Sequence, residues 1–479
     1  MNISEYLFKS RLRFKIFAIL LLSFCLMTSC KKLVEVGPPN SSLVTTSVFS
    51  SDETAIAAQL AVYAILAPGN EGIIAGFEQY TAISSDELTN YATDQLHLDL
   101  YRNTLNAQND GGLNGNWGAL YNYIYQENAI LENVQGSAGM SNRVKQLMIG
   151  EALFMRAYFY FQLVNFFGDV PLVISTDYTK NSSLPRTPAA DVYTQIVTDL
   201  KTAQGLLSPG YLDASDNTGA GDRVRPTTWA ADALLARVYL YMGEWSLSSQ
   251  QASLVIADSA QYSLVSDLTQ VFLMNSNEAI WQLMPGPGIF AVQGGTYILV
   301  GPPGPAKGQT FTISPQLLQA FEPNDNRQSV WIGNFSQGGN TWYYPYKYRS
   351  GPTSTSLTEY SMVLRLAELY LIRAEAEAQE NDLTDAANDL NIIRNRAGLP
   401  NTAAVSQSDF LTAIAHERQV ELFTEEHRWF DLKRTGTVNS VMDTVAPQKG
   451  AGWNSYQQLY PLAIPDLQLN PNLVQNPGY

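Results

Sequence analysis

Apolar residues return every three to four positions over much of the chain, which is the period of an amphipathic helix. A first helix is expected from about Asp52, with Ser50 and Glu53 in capping-box spacing and Ile56, Leu60, Tyr63 and Ile65 along it. Trp117 to Val134 repeats the pattern through Leu120, Tyr121, Ile124 and Leu131. The next helix, capped by Ser141 and running to about Phe166, is apolar nearly all round and must be covered on several sides, inside a stack of helices. Gly168-Asp169-Val170-Pro171 stops it, Thr187-Pro188 opens another, and Arg225-Pro226-Thr227 introduces one that ends at Met242-Gly243. A last helix is expected near Asp409–Leu432, before a coil-rich tail.

Two segments share a small-small-aromatic-turn logic. Ala233, Ala236, Tyr239 and Gly243 precede a second helix from Glu244, and the helices Leu357–Glu380 and Leu383–Ala397 break at Asn381-Asp382. This is the pattern of tetratricopeptide helix pairs, in which small residues let two helices approach and each pair buries its stripe on the next. The expected fold is mainly α: a tetratricopeptide-like helix-pair superhelix with loop excursions and a few short β-strands. The excursions are residues 69–116, polar and aromatic without a helical period, and residues 285–348. Within 285–308, twelve of twenty-four residues are Gly or Pro, which rules out regular structure over most of that stretch. Phe321–Tyr348 then reads as short strands, with Trp342, Tyr344, Tyr346 and Tyr348 alternating along one face.

The N-terminus has a different character. Lys9, Arg11, Arg13 and Lys15 precede a twelve-residue apolar run, Ile16–Met27, which is too short to span a bilayer but fits a secretory signal. Its ending, Leu26-Met27-Thr28-Ser29-Cys30, looks like a bacterial lipobox, so residues 1–29 are expected to be removed and Cys30 lipidated. Residues 30–50 then form the lipid anchor and a flexible tether rich in Pro, Ser, Thr and Asn. Cys25 leaves with the signal, and an exported chain with Cys30 alone must fold without an internal disulfide. Removing four basic residues and one acid takes the net charge from −15 to −18, which works against nucleic acids and anionic membrane surfaces. Membrane attachment is therefore expected through the lipid only, and neutral glycans remain open as ligands.

Catalytic constellations are missing. Of the three histidines (His97, His416, His427), only His416-Glu417 begins like a zinc-protease helix, and position 420 is valine where the second ligand belongs. Gly286-Pro287-Gly288 and Gly301-Pro302-Pro303-Gly304 lack the lysine, the following helix and the amide donors of a phosphate loop. Glu417, Arg418, Glu421, Glu425, Arg428, Asp431 and Arg434 crowd among Leu422, Phe423, Trp429 and Phe430, where charges are expected to pair and fix packing. Arg365/Glu368 and Arg373/Glu377 have helical pair spacing.

Several stretches, in order, resemble the SusD/RagB family of Bacteroidetes outer-membrane lipoproteins. After the lipobox come Gly150–Tyr160 running into Phe167–Leu172, then Leu366–Glu375, Glu417–Leu422, His427–Arg434, Tyr460-Pro461-Leu462 and the terminal Gln475–Tyr479. Asp466 after Ile464-Pro465 departs from the more usual glutamate slightly further on. The resemblance implies one α-rich domain over residues 51–479, no enzymatic activity, and a place on the outer membrane facing the cell surface. It also implies capture of starch-like or other oligosaccharides for a SusC-like TonB-dependent barrel. Peptide capture of the RagB type, and a tetratricopeptide-like scaffold for protein partners, are the alternative readings.

The family motifs map to the scaffold, so candidate ligand residues come from physics. A sugar offers an apolar C–H face and a hydroxyl rim, and calls for loop aromatics flanked by polar side chains. Tyr91 with Asn90 and Asp94, Tyr101 with Arg102 and Asn103, Phe290 and Tyr297 near Gln293, and Trp342 with Asn340 after the Gly338-Gly339 turn meet that description. Trp117, Trp229, Trp281 and Trp429 fall in regular elements and are expected in the core. No cofactor or metal is expected; calcium near Asp94, Asp99 or Glu322–Asp325 would lack a recognised ligand spacing.

Overall fold

A computed structural model describes residues 48–66, 73–108, 113–219, 221–286 and 290–479. The expected signal sequence, Cys30 and nearly all of the expected tether lie outside the described residues. Phe49–Tyr479 forms one compact unit. No described helix is long and apolar enough to cross a membrane.

The helices follow one another as a continuous stack. They are α1 (Asp52–Leu66), α2 (Ile73–Ser84), α3 (Gln95–Arg102), α4 (Leu113–Val134), α5 (Asn142–Phe167), α6 (Tyr178–Asn181), α7 (Ala189–Leu206), α8 (Thr228–Met242) and α9 (Trp245–Ala257), then short α10 (Val292–Tyr297), α11 (Pro315–Ala320) and α12 (Asn326–Trp331). After these come α13 (Leu366–Gln379), α14 (Leu383–Arg396), α15 (Gln407–Glu421), α16 (Arg428–Arg434), α17 (Val438–Gln448) and α18 (Ile464–Leu469). Packing runs α4 on α5, α5 on α7, α7 on α8, α8 on α9, α9 on α13, and α13 on both α14 and α15. The helix-pair superhelix expected from the small-residue pattern is therefore present, with a long excursion inserted between α9 and α13. Two antiparallel strands close that excursion at its base, β2 (Ala279–Leu283) against β6 (Ser361–Arg365).

Helix ends follow local chemistry. The Ser141 hydroxyl accepts from the Val144 N–H and Gly168 (φ +75°) ends α5; the Thr227 hydroxyl accepts from Ala230 and Gly243 (φ +76°) ends α8. Between its caps α5 is buried from Gly150 to Phe167, and Phe154 and Tyr158 present ring edges to Trp281 at 5.1 and 5.4 Å. Each such side chain contributes roughly 1.5–3 kcal/mol of burial. Trp117, Trp281 and Trp429 are buried and Trp229 is half-buried against the same core.

Several local expectations are corrected. At the start of α1 the Ser51 hydroxyl accepts from the Thr54 N–H at 3.3 Å, one residue along from the expected Ser50/Glu53 spacing. Pro188 itself is the N-cap of α7, because Thr187 bridges backbone to backbone with Val170. Residues 357–365 do not extend α13, because Ser361–Arg365 is claimed as a strand by β2. The 69–116 stretch is not a bare loop; α2, α3 and the start of α4 lie in it. The single helix expected over Asp409–Leu432 breaks after Glu421. There Thr424 and Glu426 take positive φ (+55° and +71°), and Lys347 Nζ donates to the Glu421 and Phe423 carbonyls at 2.8 Å.

That break organises the buried charges. Arg365 reaches Glu278, Glu421 and Glu425; Arg396 reaches Glu278 and Glu421; Arg327 reaches Asp325, Glu417 and Glu421. Burial alone would raise the Glu421 carboxyl, but Arg396, Arg365 and Arg327 together hold it well below the usual carboxylate range. The expected Arg365/Glu368 pair does not form, since Glu368 takes Arg237 at 2.6 Å. Arg373 is 3.8 Å from Glu377 but binds Asp389 at 2.6 Å.

Candidate functional site

The two excursions meet. Strand β1 (Leu88–Asn90) pairs antiparallel with β3 (Phe311–Ile313), so Asn90 lies opposite Phe311, and the Tyr91 N–H extends the pairing to the Thr310 carbonyl at 2.7 Å. Strand β3 also packs close to β5 (Asn340–Pro345), the second arm of a separate two-stranded hairpin with β4 (Ile332–Gln337). Thus the segment carrying Asn90, Tyr91, Asp94 and Tyr101 and the strand carrying Asn340 and Trp342, separated by more than 200 residues of sequence, both lie close to one short strand.

The hairpin follows from its turn. Gly338 and Gly339 have φ of +62° and +82°, a two-residue turn that side-chain-bearing residues rarely adopt. It sets the register Gln337↔Asn340, Phe335↔Trp342 and Gly333↔Tyr344. By strand alternation these six residues share one face. Phe335 and Trp342 are half-buried with ring centroids 6.4 Å apart and planes 30° from parallel, which makes a near-continuous aromatic surface. Gly333 is required beneath Tyr344, since a Cβ there would lie 2.4 Å from that ring. Tyr346 meets Tyr344 edge-on at 5.8 Å, and the Arg349 guanidinium covers the Tyr346 ring at 4.9 Å. Exposed Asn340 and Gln337 supply the polar rim, and Tyr343 (40% exposed) faces the other way.

Around β1 the side chains differ in availability. Tyr91 is exposed (37%). Asn90 folds onto its own loop, accepting from the Ala92 N–H at 2.8 Å. Asp94 caps α3, accepting from the His97 N–H and from His97 Nδ1 at 2.7 Å, and so holds the His97 ring 5.5 Å from Phe311. Tyr101 is half-buried with Lys449 Nζ 4.9 Å above its ring; that ammonium donates to the Ile83, Ser84 and Ser85 carbonyls, tying the end of α2 in place. Phe290 is half-buried against Gly295, where a Cβ would lie 2.8 Å from its ring.

Tyr297 is the correction among the candidates. Only 3% exposed, it lies edge-on to Phe311 at 6.5 Å, and burial pushes its phenol well above the usual range. It anchors α10 to β3 and offers no face to solvent. Phe335, Tyr346 and Arg349 were absent from the candidate set. Phe335 was readable, because a two-residue turn at Gly338-Gly339 places position 335 opposite Trp342.

The acidic positions considered for calcium have protein partners. Asp99 accepts from Gln95 at 2.9 Å and Thr104 at 3.0 Å, Asp325 from Arg327 at 2.8 Å, and Glu322 from Arg394 at 2.6 Å. Glu322, His416 and Glu417 bring ligand atoms within 4.8 Å of one another. Arg394 and Arg327 already neutralise both carboxylates, and His416 Nε2 donates to the Ala320 carbonyl at 2.7 Å. His427 is buried, which lowers its pKa well below the usual histidine range and keeps it neutral.

Two family models match. The SusD family model covers residues 326–479, and a SusD-like model described as starch-binding and associating with the outer membrane covers residues 35–240. SusD-like protein P25 of Formosa agariphila is 26% identical over 428 residues, covering 76% of this chain and 79% of that protein. Among solved structures, a SusD superfamily protein of Bacteroides vulgatus superposes with a TM-score of 0.76 at 23% identity, covering 90% of this chain and all of the other. A laminarin-binding SusD-like protein superposes with a TM-score of 0.73 at 24% identity, again over 90% of this chain and all of that one.

Proposed function

We propose that this chain, matched over residues 35–240 and 326–479 by two SusD-type family models, is a SusD-family protein: a non-catalytic, surface-exposed lipoprotein of the outer membrane that captures neutral oligosaccharides. In this reading Cys30 carries the lipid, residues 31–50 form the tether, and the 51–479 body delivers its ligand to a TonB-dependent barrel of the SusC type. The observation that carries the glycan assignment is the aromatic face of the β4–β5 hairpin. Trp342 and Phe335 form a shallow surface with amide side chains at its rim, and the exposed Tyr91 follows β1, which pairs with the β3 strand that packs near this hairpin. A pyranose laid on that surface buries C–H groups on the rings while its hydroxyls reach Asn340 and Gln337. An aromatic covered in this way contributes about 1.5–3 kcal/mol before ordering costs.

What surrounds the hairpin supports capture without cleavage. Hydrolysis of a glycoside calls for two carboxyl groups flanking the scissile bond, one of them protonated. Asp94, the carboxylate contributed by the β1 side, is already committed to capping α3 and to His97, which keep it below the usual range despite some burial. The description of the matched SusD-like model as starch-binding, and the laminarin-binding neighbour, both support a glucan as the ligand class.

The test is a direct binding screen of the full chain against immobilised neutral oligosaccharides, with extended peptides in parallel. Binding of one or more oligosaccharides, with their length unchanged after prolonged incubation, is the expected outcome. Retention of peptides with no oligosaccharide retained would overturn the glycan assignment in favour of peptide uptake.

A further inference from the structure

Away from the hairpin, a cavity of about 770 Å³ opens in the helix stack where the end of α8 and the start of α9 face α13, α15 and α16. That volume falls within the range of small-ligand sites, about 300–1,000 Å³. None of its walls comes from β1, β3, β4 or β5, so it is separate from the site described above.

Its floor is charged but neutralised. Asp431 accepts from Arg418 at 2.8 Å and from Arg434 at 2.7 Å, and Glu375 takes the far end of Arg434 at 2.5 Å. Arg428 on the same wall is paired with Asp86 at 2.8 Å. With every charge paired, nothing there attracts an ionic ligand. Above the floor stands Trp245, half-buried, resting against the Gly243 turn, where a Cβ would come within 3.5 Å of its ring. Three polar groups on the walls have no partner among the described residues: the half-buried amide of Gln379, the exposed hydroxyl of Ser408 and the buried Arg418 Nη1. A buried donor without an acceptor is rare in a folded protein and calls for an explanation.

We propose that this cavity is a second saccharide site, taking the end of a neutral oligosaccharide against Trp245, with ligand hydroxyls serving Gln379, Ser408 and Arg418. The proposal rests on the glycan-binding reading and adds a second point of attachment on the helix-pair scaffold. A peptide fits less well. The walls are helices whose backbone groups are internally bonded, so an extended peptide finds no strand edge to pair with, and no unpaired charge meets either of its termini.

Calorimetric titration of the full chain with maltohexaose and with laminarihexaose tests this, using Trp342→Ala to silence the hairpin. The expected result is two sites per chain in the native protein and one in Trp342→Ala. Adding Trp245→Ala should weaken that remaining site at least tenfold, and adding Gln379→Ala instead should weaken it severalfold. Gln379 is a half-buried side chain with no internal bond, so its variant reports on binding even if Trp245→Ala disturbs the fold. A single site abolished by Trp342→Ala would overturn the second site and leave the hairpin assignment standing. Absence of binding by both hexaoses would overturn the two together, and saturation of the cavity by a neutral hexapeptide would replace the saccharide with a peptide.

Discussion

The two halves of this molecule use side chains in opposite ways. Where α13–α16 meet the base of the long excursion, charged residues are buried and ion-paired: Arg365, Arg327 and Arg396 share Glu278, Glu417, Glu421 and Glu425. On the β4–β5 hairpin, apolar rings are left half in water and the charges are few. Buried ion pairs are costly to desolvate and poor as a source of net stability, but once formed they are exacting about geometry. Half-exposed rings are the reverse: they contribute little to the fold and remain available to a partner. The contrast teaches which positions hold the scaffold and which are free to select a ligand.

Breaking the scaffold side should have the largest effect. Arg365→Ala leaves three buried carboxylates without their shared guanidinium, and the expected loss is about 3–5 kcal/mol of stability, read from the urea midpoint. A hairpin substitution of comparable size should not move that midpoint by more than about 0.5 kcal/mol.

Acidity sharpens the same contrast. Burial lifts the Glu426 and Glu87 carboxyls to about 8, while in the unfolded chain they titrate near the ordinary value of 4.5. Between those values the folded state holds protons that the unfolded state has lost, so these groups make stability fall as pH rises from about 4.5 to 8. Replacing one of them by glutamine removes about one proton's linkage, roughly 1.4 kcal/mol per pH unit within that window. Denaturation of Glu426→Gln and native protein at pH 5, 6, 7 and 8 should therefore diverge steadily. Parallel curves would show that Glu426 is ionised in the fold. Tyr343→Ala, on the opposite face of the hairpin from Trp342, should change stability and glycan affinity least of all.

Legibility in the sequence followed the same division. Helix ends at Ser141, Gly168, Thr227 and Gly243 were readable because a cap is a local bargain between a side chain and its own backbone. The helix-pair stack was readable from Ala233, Ala236 and Tyr239, whose sizes decide how closely neighbours approach. The break after Glu421 was not, because it is imposed by Lys347, more than seventy residues away and only 3% exposed. Nor was β6, which looks like helix until β2 claims it. At the candidate site, Trp342 and Asn340 could be placed at a turn, and the Gly338-Gly339 register even implied Phe335. Tyr297 could not be told from an exposed platform, since only the fold shows Phe311 against it.

The most direct test pairs two readings on one variant. For Trp342→Ala, oligosaccharide affinity at the hairpin and the urea midpoint are measured on the same preparation. Loss of a stacked ring should weaken that affinity at least tenfold, about 1.4 kcal/mol, while the midpoint stays within error of the native protein. Unchanged oligosaccharide affinity with an intact fold would contradict the account, because the aromatic face of the hairpin would then not be where the ligand is held.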